Sequence, residues 1–335
     1  MEKIRNLIDS TYFITKNLLF LMNGNKAHRL FTKFSQMTTR LGLEKFLLDN
    51  KDNHKDSLIP ISNGAGFNKN VDIPLDFLWH LGFDRVVVGS VTAEPFSGNP
   101  EPNIKRFRKT ESMVNWMGLP GRGAEHIAEN INLYQSKEYL IPITINLTPT
   151  PKTTKPLEDL RKTVYFTRDL RNIDRYELNI SCPNKDKIIN YKEALKEQIE
   201  VIESEKRNKQ KIYLKVSPDL EEKDIEDILE TMYNHNIEGL TTTNTTTFHN
   251  SEYINLFLDK GGASGNALYQ KSLETQKKFY EKLKDSKLKI IACGGINSKE
   301  RLIERINYGA SEIQIFTPLI FKGPRLIREL RNISL

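Results

Sequence analysis

The sequence predicts a (β/α)8 TIM barrel preceded by a small N-terminal helical domain. Three observations carry that prediction. Eight short apolar runs recur through the chain, at residues 58–61, 85–88, 143–147, 175–180, 212–216, 239–242, 289–292 and 312–316. Several are rich in Val and Ile and bounded by turn residues, as buried parallel strands are. Amphipathic helical stretches separate them, and nearly every run ends on an amide, a small polar residue, a lysine or a glycine pair. In a barrel those carboxyl ends form one rim, where chemistry sits. A doubly wound open sheet is the alternative that pattern alone leaves open. The uneven spacing of the runs excludes a solenoid.

Residues 1–48 read as helices, with a turn signal at Asn23-Gly24-Asn25. After that turn, Ala27, Leu30, Phe31, Phe34, Met37 and Leu41 fall on one helical stripe, with Arg29, Lys33 and Arg40 off it. The preceding helix offers Leu7, Ile8, Phe13, Ile14, Leu18 and Leu21. Such a pair suits packing on the main body or a place in a membrane interface with its basic residues at the headgroups. The charged stretch 49–56 is read as a linker, and residues 57–335 as the barrel domain.

Composition narrows the function. The chain has 335 residues and a formal charge of +7, in keeping with an acidic surface or a phosphate-bearing ligand. No basic stripe with interleaved aromatics marks a nucleic-acid module. Cys182 and Cys293 are the only cysteines, and with six scattered histidines they make neither a disulfide framework nor a metal site. No secretory signal is visible. The run Leu18-Leu19-Phe20-Leu21-Met22 is far shorter than the roughly 20 residues needed to span a bilayer.

The stretch Asn179-Ile180-Ser181-Cys182-Pro183-Asn184 is the densest in chemistry. Asn, Ser and Pro also make ordinary turns. Here, however, two carboxamides, which each donate and accept, flank a thiol whose reference pKa is about 8.5. With Asn115 and Asn244 the two amides form a cage suited to a small, flat, hydrogen-bonding ring. Gly294-Gly295 and Thr317 follow the last two runs, the usual place for a barrel phosphate site. Gly261-Gly262-Ala263-Ser264-Gly265 reads as a second glycine-rich loop. Lys69 and Lys215 read as rim cations, partners either for a salt bridge or for the electron-rich edge of a flavin.

Asn-Ile-Ser-Cys-Pro-Asn at 179–184, Lys-Val-Ser-Pro-Asp-Leu at 215–220, Thr-Thr-Asn-Thr-Thr at 242–246, the glycine-rich 261–265, Cys-Gly-Gly-Ile at 293–296 and Ile-Phe-Lys-Gly-Pro at 320–324 resemble the dihydroorotate dehydrogenase family. So does Gly-Ser-Val-Thr at 89–92, and the N-terminal segment resembles the membrane-associated, quinone-using class. The resemblance implies an FMN-dependent oxidoreductase of pyrimidine biosynthesis. It would be cytoplasmic, bound peripherally to the inner membrane through the N-terminal helices, with quinone as acceptor. Gly64, Ala65, Lys69, Ser90, Asn146, Asn179, Lys215 and Thr243 would hold FMN, and Gly265, Gly294, Gly295, Phe316 and Thr317 its phosphate end. Lys69, Asn115, Met117, Gly118, Asn179, Asn184, Asn244 and Thr245 would grip dihydroorotate, with Cys182 as catalytic base and no metal.

Three departures from the family pattern stand out. Cys182 takes the place of the serine usual in the quinone class. Leu119-Pro120-Gly121 replaces Phe-Asn-Asn, and 185–189 replaces the usual start of the lid. Both of the last two bear on the substrate, and Pro120 and Gly121, which offer no side-chain hydrogen bonds, predict a more permissive pocket. A paralogue acting on another ring, and a barrel that has lost catalysis and serves as a scaffold, are the competing readings.

Overall fold

The structure, a computed structural model, describes residues 2–46, 57–134, 141–180, 191–247 and 260–332. Two helices lead, α1 (Glu2–Leu19) and α2 (Gly24–Arg40). The Asn23 side chain caps α2 by accepting from the Lys26 N–H at 2.8 Å. Then follow β1 (Ile61–Asn63), α3 (Leu75–His80), β2 (Val86–Val91), β3 (Ile104–Phe107), β4 (Ser112–Asn115), α4 (Ala124–Tyr134), β5 (Ile143–Leu147), α5 (Pro156–Thr167), β6 (Ile173–Asn179) and α6 (Tyr191–Glu205). The chain continues through β7 (Lys211–Val216), α7 (Glu222–Asn234), β8 (Ile237–Thr242), β9 (Gly262–Gly265), α8 (Asn266–Leu283), β10 (Lys289–Cys293), α9 (Lys299–Asn307), β11 (Ala310–Ile315), α10 (Thr317–Lys322) and α11 (Arg325–Arg331).

Eight strands pair in parallel in the order β1-β11-β10-β8-β7-β6-β5-β2. The two end strands meet at a Ser62–Arg85 bridge, which all but closes the barrel. Asn63 completes that seam with its side chain. Its amide donates to the Val87 carbonyl at 2.7 Å and accepts from the Val87 N–H at 3.0 Å, in place of a missing ladder rung. All eight expected strands are present, with shifted ends. The first is Ile61–Asn63 rather than 58–61, because Pro60 cannot donate to a ladder.

The glycine-rich segment 261–265 is not a loop. Gly262–Gly265 forms β9, which pairs antiparallel with β4, and β4 pairs with β3. This small sheet brings Asn115 and Thr245 together. A Cβ at Gly262 would lie 2.0 Å from Thr245 Oγ1, so only glycine lets β9 approach so closely.

The barrel strands alternate. Tyr176, Leu178, Ile212, Leu214, Ile313 and Ile315 are buried in the hydrophobic core cluster or beside it. Their neighbours Arg175, Glu177, Lys215, Glu312 and Gln314 are buried too, yet polar. Gln314 on β11 bonds Glu177 on β6, and these strands are not sheet neighbours, so the contact crosses the barrel interior. The barrel axis is therefore filled by polar layers. In the lower layer Glu312 accepts from Ser62 and Arg175, each at 2.9 Å.

The N-terminal helices dock on the barrel by their ends and one edge. The Tyr12 hydroxyl donates to the Ile320 carbonyl at 2.7 Å, and Lys16 Nζ donates to that of Phe321 at 3.0 Å. Asn25 donates to Asn103 at 2.8 Å, and Phe31 packs between Phe67 and Phe77. The expected apolar stripe of α2 is thus divided. Ala27 is buried and Phe31 half-buried, while Leu30, Phe34, Met37 and Leu41 stay exposed, beside Phe13, Ile14, Leu18 and Leu21 of the first helix and its end. Among the described residues no helix is long and apolar enough to cross a membrane. The linker 49–56 lies outside the described residues.

Candidate active site

The upper polar layer grows out of strand ends. Glu177, fully buried, accepts from Asn146 Nδ2 at 2.8 Å, from Thr241 Oγ1 at 2.5 Å and from Gln314 Nε2 at 2.8 Å. Lys215 Nζ lies 3.8 Å from the same carboxylate and donates to Gln314 Oε1 at 2.9 Å. Lys215 is therefore a buried, ion-paired cation of this layer. Two residues on, at the same face of β6, Asn179 reaches the rim. Its Nδ2 donates to Ser90 Oγ at 3.3 Å, and Ser90 in turn donates to Asn146 Oδ1 at 2.5 Å. Asn244 Nδ2 donates to Asn179 Oδ1 at 3.2 Å, while Asn244 Oδ1 accepts from the Thr245 N–H at 2.8 Å. One hydrogen-bonded chain thus links the β2, β5, β6, β7, β8 and β11 ends.

Asp219 fixes the loop that carries Asn244 and Thr245. It accepts from Thr246 Oγ1 at 2.6 Å and from the Thr247 N–H at 2.8 Å. Thr243 is pinned by its N–H to the Cys293 carbonyl at 2.6 Å. Burial pushes the Cys293 thiol up, so it stays protonated at neutral pH.

Lys69 follows β1 and meets the β4 side of the mouth. Its Nζ donates to Met117 Sδ at 3.2 Å. The residue is half-buried, but its ammonium is enclosed, and that desolvation pulls its pKa down to about 8. Asn115 Nδ2 is 3.5 Å from the Gly262 carbonyl, at the edge of hydrogen bonding. Gly118 sits beside it at φ +70°, where a Cβ would strike Asn99. The unusual Leu119-Pro120-Gly121 segment is held by paired backbone bonds between Gly121 and Phe96 at 2.8 and 2.9 Å.

At the other end of the mouth, Gly265, Gly294 and Gly295 crowd together. A Cβ at Gly295 would lie 2.6 Å from the Gly265 carbonyl, and one at Gly294 would lie 2.6 Å from Ser272 Oγ. Thr317 Oγ1 and Ser264 Oγ are 2.8 Å apart beside them, and Phe316 packs edge-on to Phe67. Gly64 approaches Phe316, where a Cβ would lie 3.2 Å from the Phe316 Cβ, with Ala65 next in the chain. Cys182 and Asn184 lie outside the described residues.

Glu177 and Gln314, the hubs of the polar layer, were not among the sequence candidates. The available signal was a charge within a buried strand, two residues before a rim asparagine. Arg301 and Arg305, which grip the glycine turn, were not among the sequence candidates either.

A family model described as dihydroorotate dehydrogenase matches residues 48–333. The chain belongs to the dihydroorotate dehydrogenase family. It is 32% identical over 347 residues to the dihydroorotate dehydrogenase (quinone) of Buchnera aphidicola, covering 96% of this chain and 99% of that one. The dihydroorotate dehydrogenase (quinone) of Bartonella henselae is 30% identical, with 93% and 88% covered. These likenesses put the chain among the oxidoreductases of the family's quinone class. A crystal structure of the Eimeria tenella dihydroorotate dehydrogenase in complex with ferulenol shares the fold. Its TM-score is 0.79 at 23% identity, covering 94% of this chain and 93% of that one.

Proposed function

We propose that this chain oxidises dihydroorotate to orotate with FMN as cofactor and passes the electrons to a quinone. The observation that carries the reading is the juxtaposition of the Asn244–Asn179–Ser90–Asn146 chain with the glycine cradle of Gly265, Gly294 and Gly295 at one barrel mouth. The cradle fits a phosphate. Each of its glycines stands where a side chain would collide with a neighbour, and a backbone so bared brings amide groups close to an anion.

FMN, when bound, supplies a two-electron acceptor for the hydride leaving C6 of the substrate. The protein supplies the rest. Lys69, Asn115, Asn179, Asn184, Asn244 and Thr245 hold the ring by its amide edges and carboxylate, with Met117 and Gly118 shaping one wall. Cys182 takes the C5 proton. Gly64, Ala65, Ser90, Asn146, Lys215, Thr243, Phe316 and Thr317 surround the cofactor. The purified protein is expected to be yellow, to release FMN on denaturation and to bleach when mixed anaerobically with dihydroorotate. Recovery of FAD, or an unchanged flavin spectrum, would refute the proposal.

Lys69 adds a pH signature. Its ammonium faces an anionic substrate only while protonated, and its pKa is already down near 8. Orotate affinity should therefore be level below about pH 8 and fall by up to roughly tenfold per pH unit above it, as the cation is lost. Calorimetric titration from pH 6.5 to 9.5 checks this, and a flat profile excludes Lys69 as the carboxylate partner.

The N-terminal helices form the membrane-facing quinone entry in this reading. Exposed Phe13, Ile14, Leu18, Leu21, Leu30, Phe34, Met37 and Leu41 support it. So does the docking of α2 beside the segment that carries Lys69, with Phe31 of that helix packed against Phe67. Removing residues 1–48 should leave flavin reduction by dihydroorotate intact while abolishing vesicle binding and most ubiquinone turnover. Undiminished quinone kinetics in the truncated chain would count against this role.

A further inference from the structure

Arg305 lies on α9 and is fully buried. Its guanidinium donates to the Gly294 carbonyl at 2.9 Å, to Ser272 Oγ at 3.1 Å, to Gln276 Oε1 at 2.9 Å and to the Tyr269 carbonyl at 3.3 Å. All four partners are neutral, and its Nε has none. Among the described residues no carboxylate pairs with it. The adjacent Glu304 is engaged by the Tyr269 hydroxyl at 2.5 Å and lies 3.8 Å from Lys277 Nζ. One turn earlier on the same helix, Arg301 Nη1 donates to the Gly295 carbonyl at 2.7 Å. Both guanidiniums stack on the Tyr269 ring, at 4.0 and 5.0 Å from its centroid. Like charges at this helical spacing repel, and a buried cation facing only neutral acceptors is costly.

The geometry of the peptide unit shows what this arrangement serves. In a trans peptide the N–H points opposite to the C=O. Arg305 on the Gly294 carbonyl therefore turns the Gly295 N–H away from α9, and Arg301 on the Gly295 carbonyl does the same for the Ile296 N–H. Neither N–H has a protein partner among the described residues. A charge-assisted bond on one end of a peptide strengthens the donor at the other.

We propose that Arg305 is a positioning residue for the cofactor phosphate, acting through the Gly294–Gly295 peptide and serving as the phosphate's buried counter-charge without touching it. This rests on the flavin reading above. The phosphate dianion is then what offsets a cation that no carboxylate among the described residues pairs with.

The test compares FMN with riboflavin, which lacks the phosphate, on the full chain stripped of flavin and followed by fluorescence quenching. Arg305→Gln should weaken FMN at least about tenfold while moving riboflavin less than about threefold, and Arg305→Lys should keep most of the wild-type preference. Equal loss of both ligands in Arg305→Gln would make Arg305 a packing residue and overturn the proposal. If Arg305→Gln does not fold, Arg305→Lys decides alone. A retained preference for FMN supports the charge role, and a lost one overturns it. A wild-type chain with no preference for FMN over riboflavin would instead refute the flavin reading on which the proposal stands.

Discussion

A Cys182→Ala variant is expected to keep its flavin and to reduce it about 10²–10⁴-fold more slowly with dihydroorotate, the usual worth of general acid–base help. The substrate must lose a C5 proton as hydride leaves C6, and the stretch 179–184 holds no His, Asp or Glu to receive it. A thiol ionises at about pH 8.5 in its unperturbed form, within reach of neutral pH, whereas a serine hydroxyl at this position needs a relay to water. The wild-type rate of flavin reduction should accordingly rise with pH through a thiol-like pKa, and the alanine variant should lose that rise. Cys182→Ser is expected to fall between the two. The flavin should stay bound because the cofactor contacts proposed above lie on other residues. Stopped-flow bleaching at saturating dihydroorotate checks the prediction, and an alanine variant as fast as wild type would remove Cys182 from the mechanism. The second cysteine is no substitute, since desolvation pushes the thiol of half-buried Cys293 up.

Replacing Glu177 should produce the largest loss of stability at the site. Its carboxylate takes hydrogen bonds from three strands other than its own and faces Lys215 Nζ at 3.8 Å, with both side chains almost wholly buried. Removing one member of a buried ion pair leaves the other as an uncompensated charge, at a cost of roughly 3–5 kcal/mol. Glu177→Ala also strips acceptors from Asn146, Thr241 and Gln314. Glu177→Gln is isosteric and keeps part of the hydrogen bonding, so it should lose less stability than alanine. Urea unfolding of the flavin-free proteins measures both. An alanine variant within 1 kcal/mol of wild type, taken as an order-of-magnitude bound, would show that Lys215 does not depend on this partner.

The sequence by itself determined the succession of the eight barrel strands and several of the residues that end them, and it favoured a barrel over an open sheet. Strand and helix periodicities differ, and the ends of buried strands stand out where apolar runs give way to amides and glycines. Asn179, Asn244 and the Gly294-Gly295 pair were legible for that reason. Their neighbours across the barrel were not. Glu177 is separated from Gln314 by 137 positions, and nothing local distinguishes a glutamate that points into a barrel from one that points to solvent. The same holds for Lys215, which reads as a rim cation in sequence and is ion-paired in the fold. Only closure of the sheet, with Asn63 stitching its seam to Val87, brings those side chains to one axis. Segment 261–265 reads as a loop because glycine signals flexibility locally, yet it is a strand because the close approach of Thr245 leaves no space for a side chain. Likewise, the α2 stripe reads as one face, and the barrel divides it. Phe31 sits between Phe67 and Phe77, and Phe34 meets the Phe77 ring edge-on, yet Phe34, Leu30, Met37 and Leu41 remain exposed.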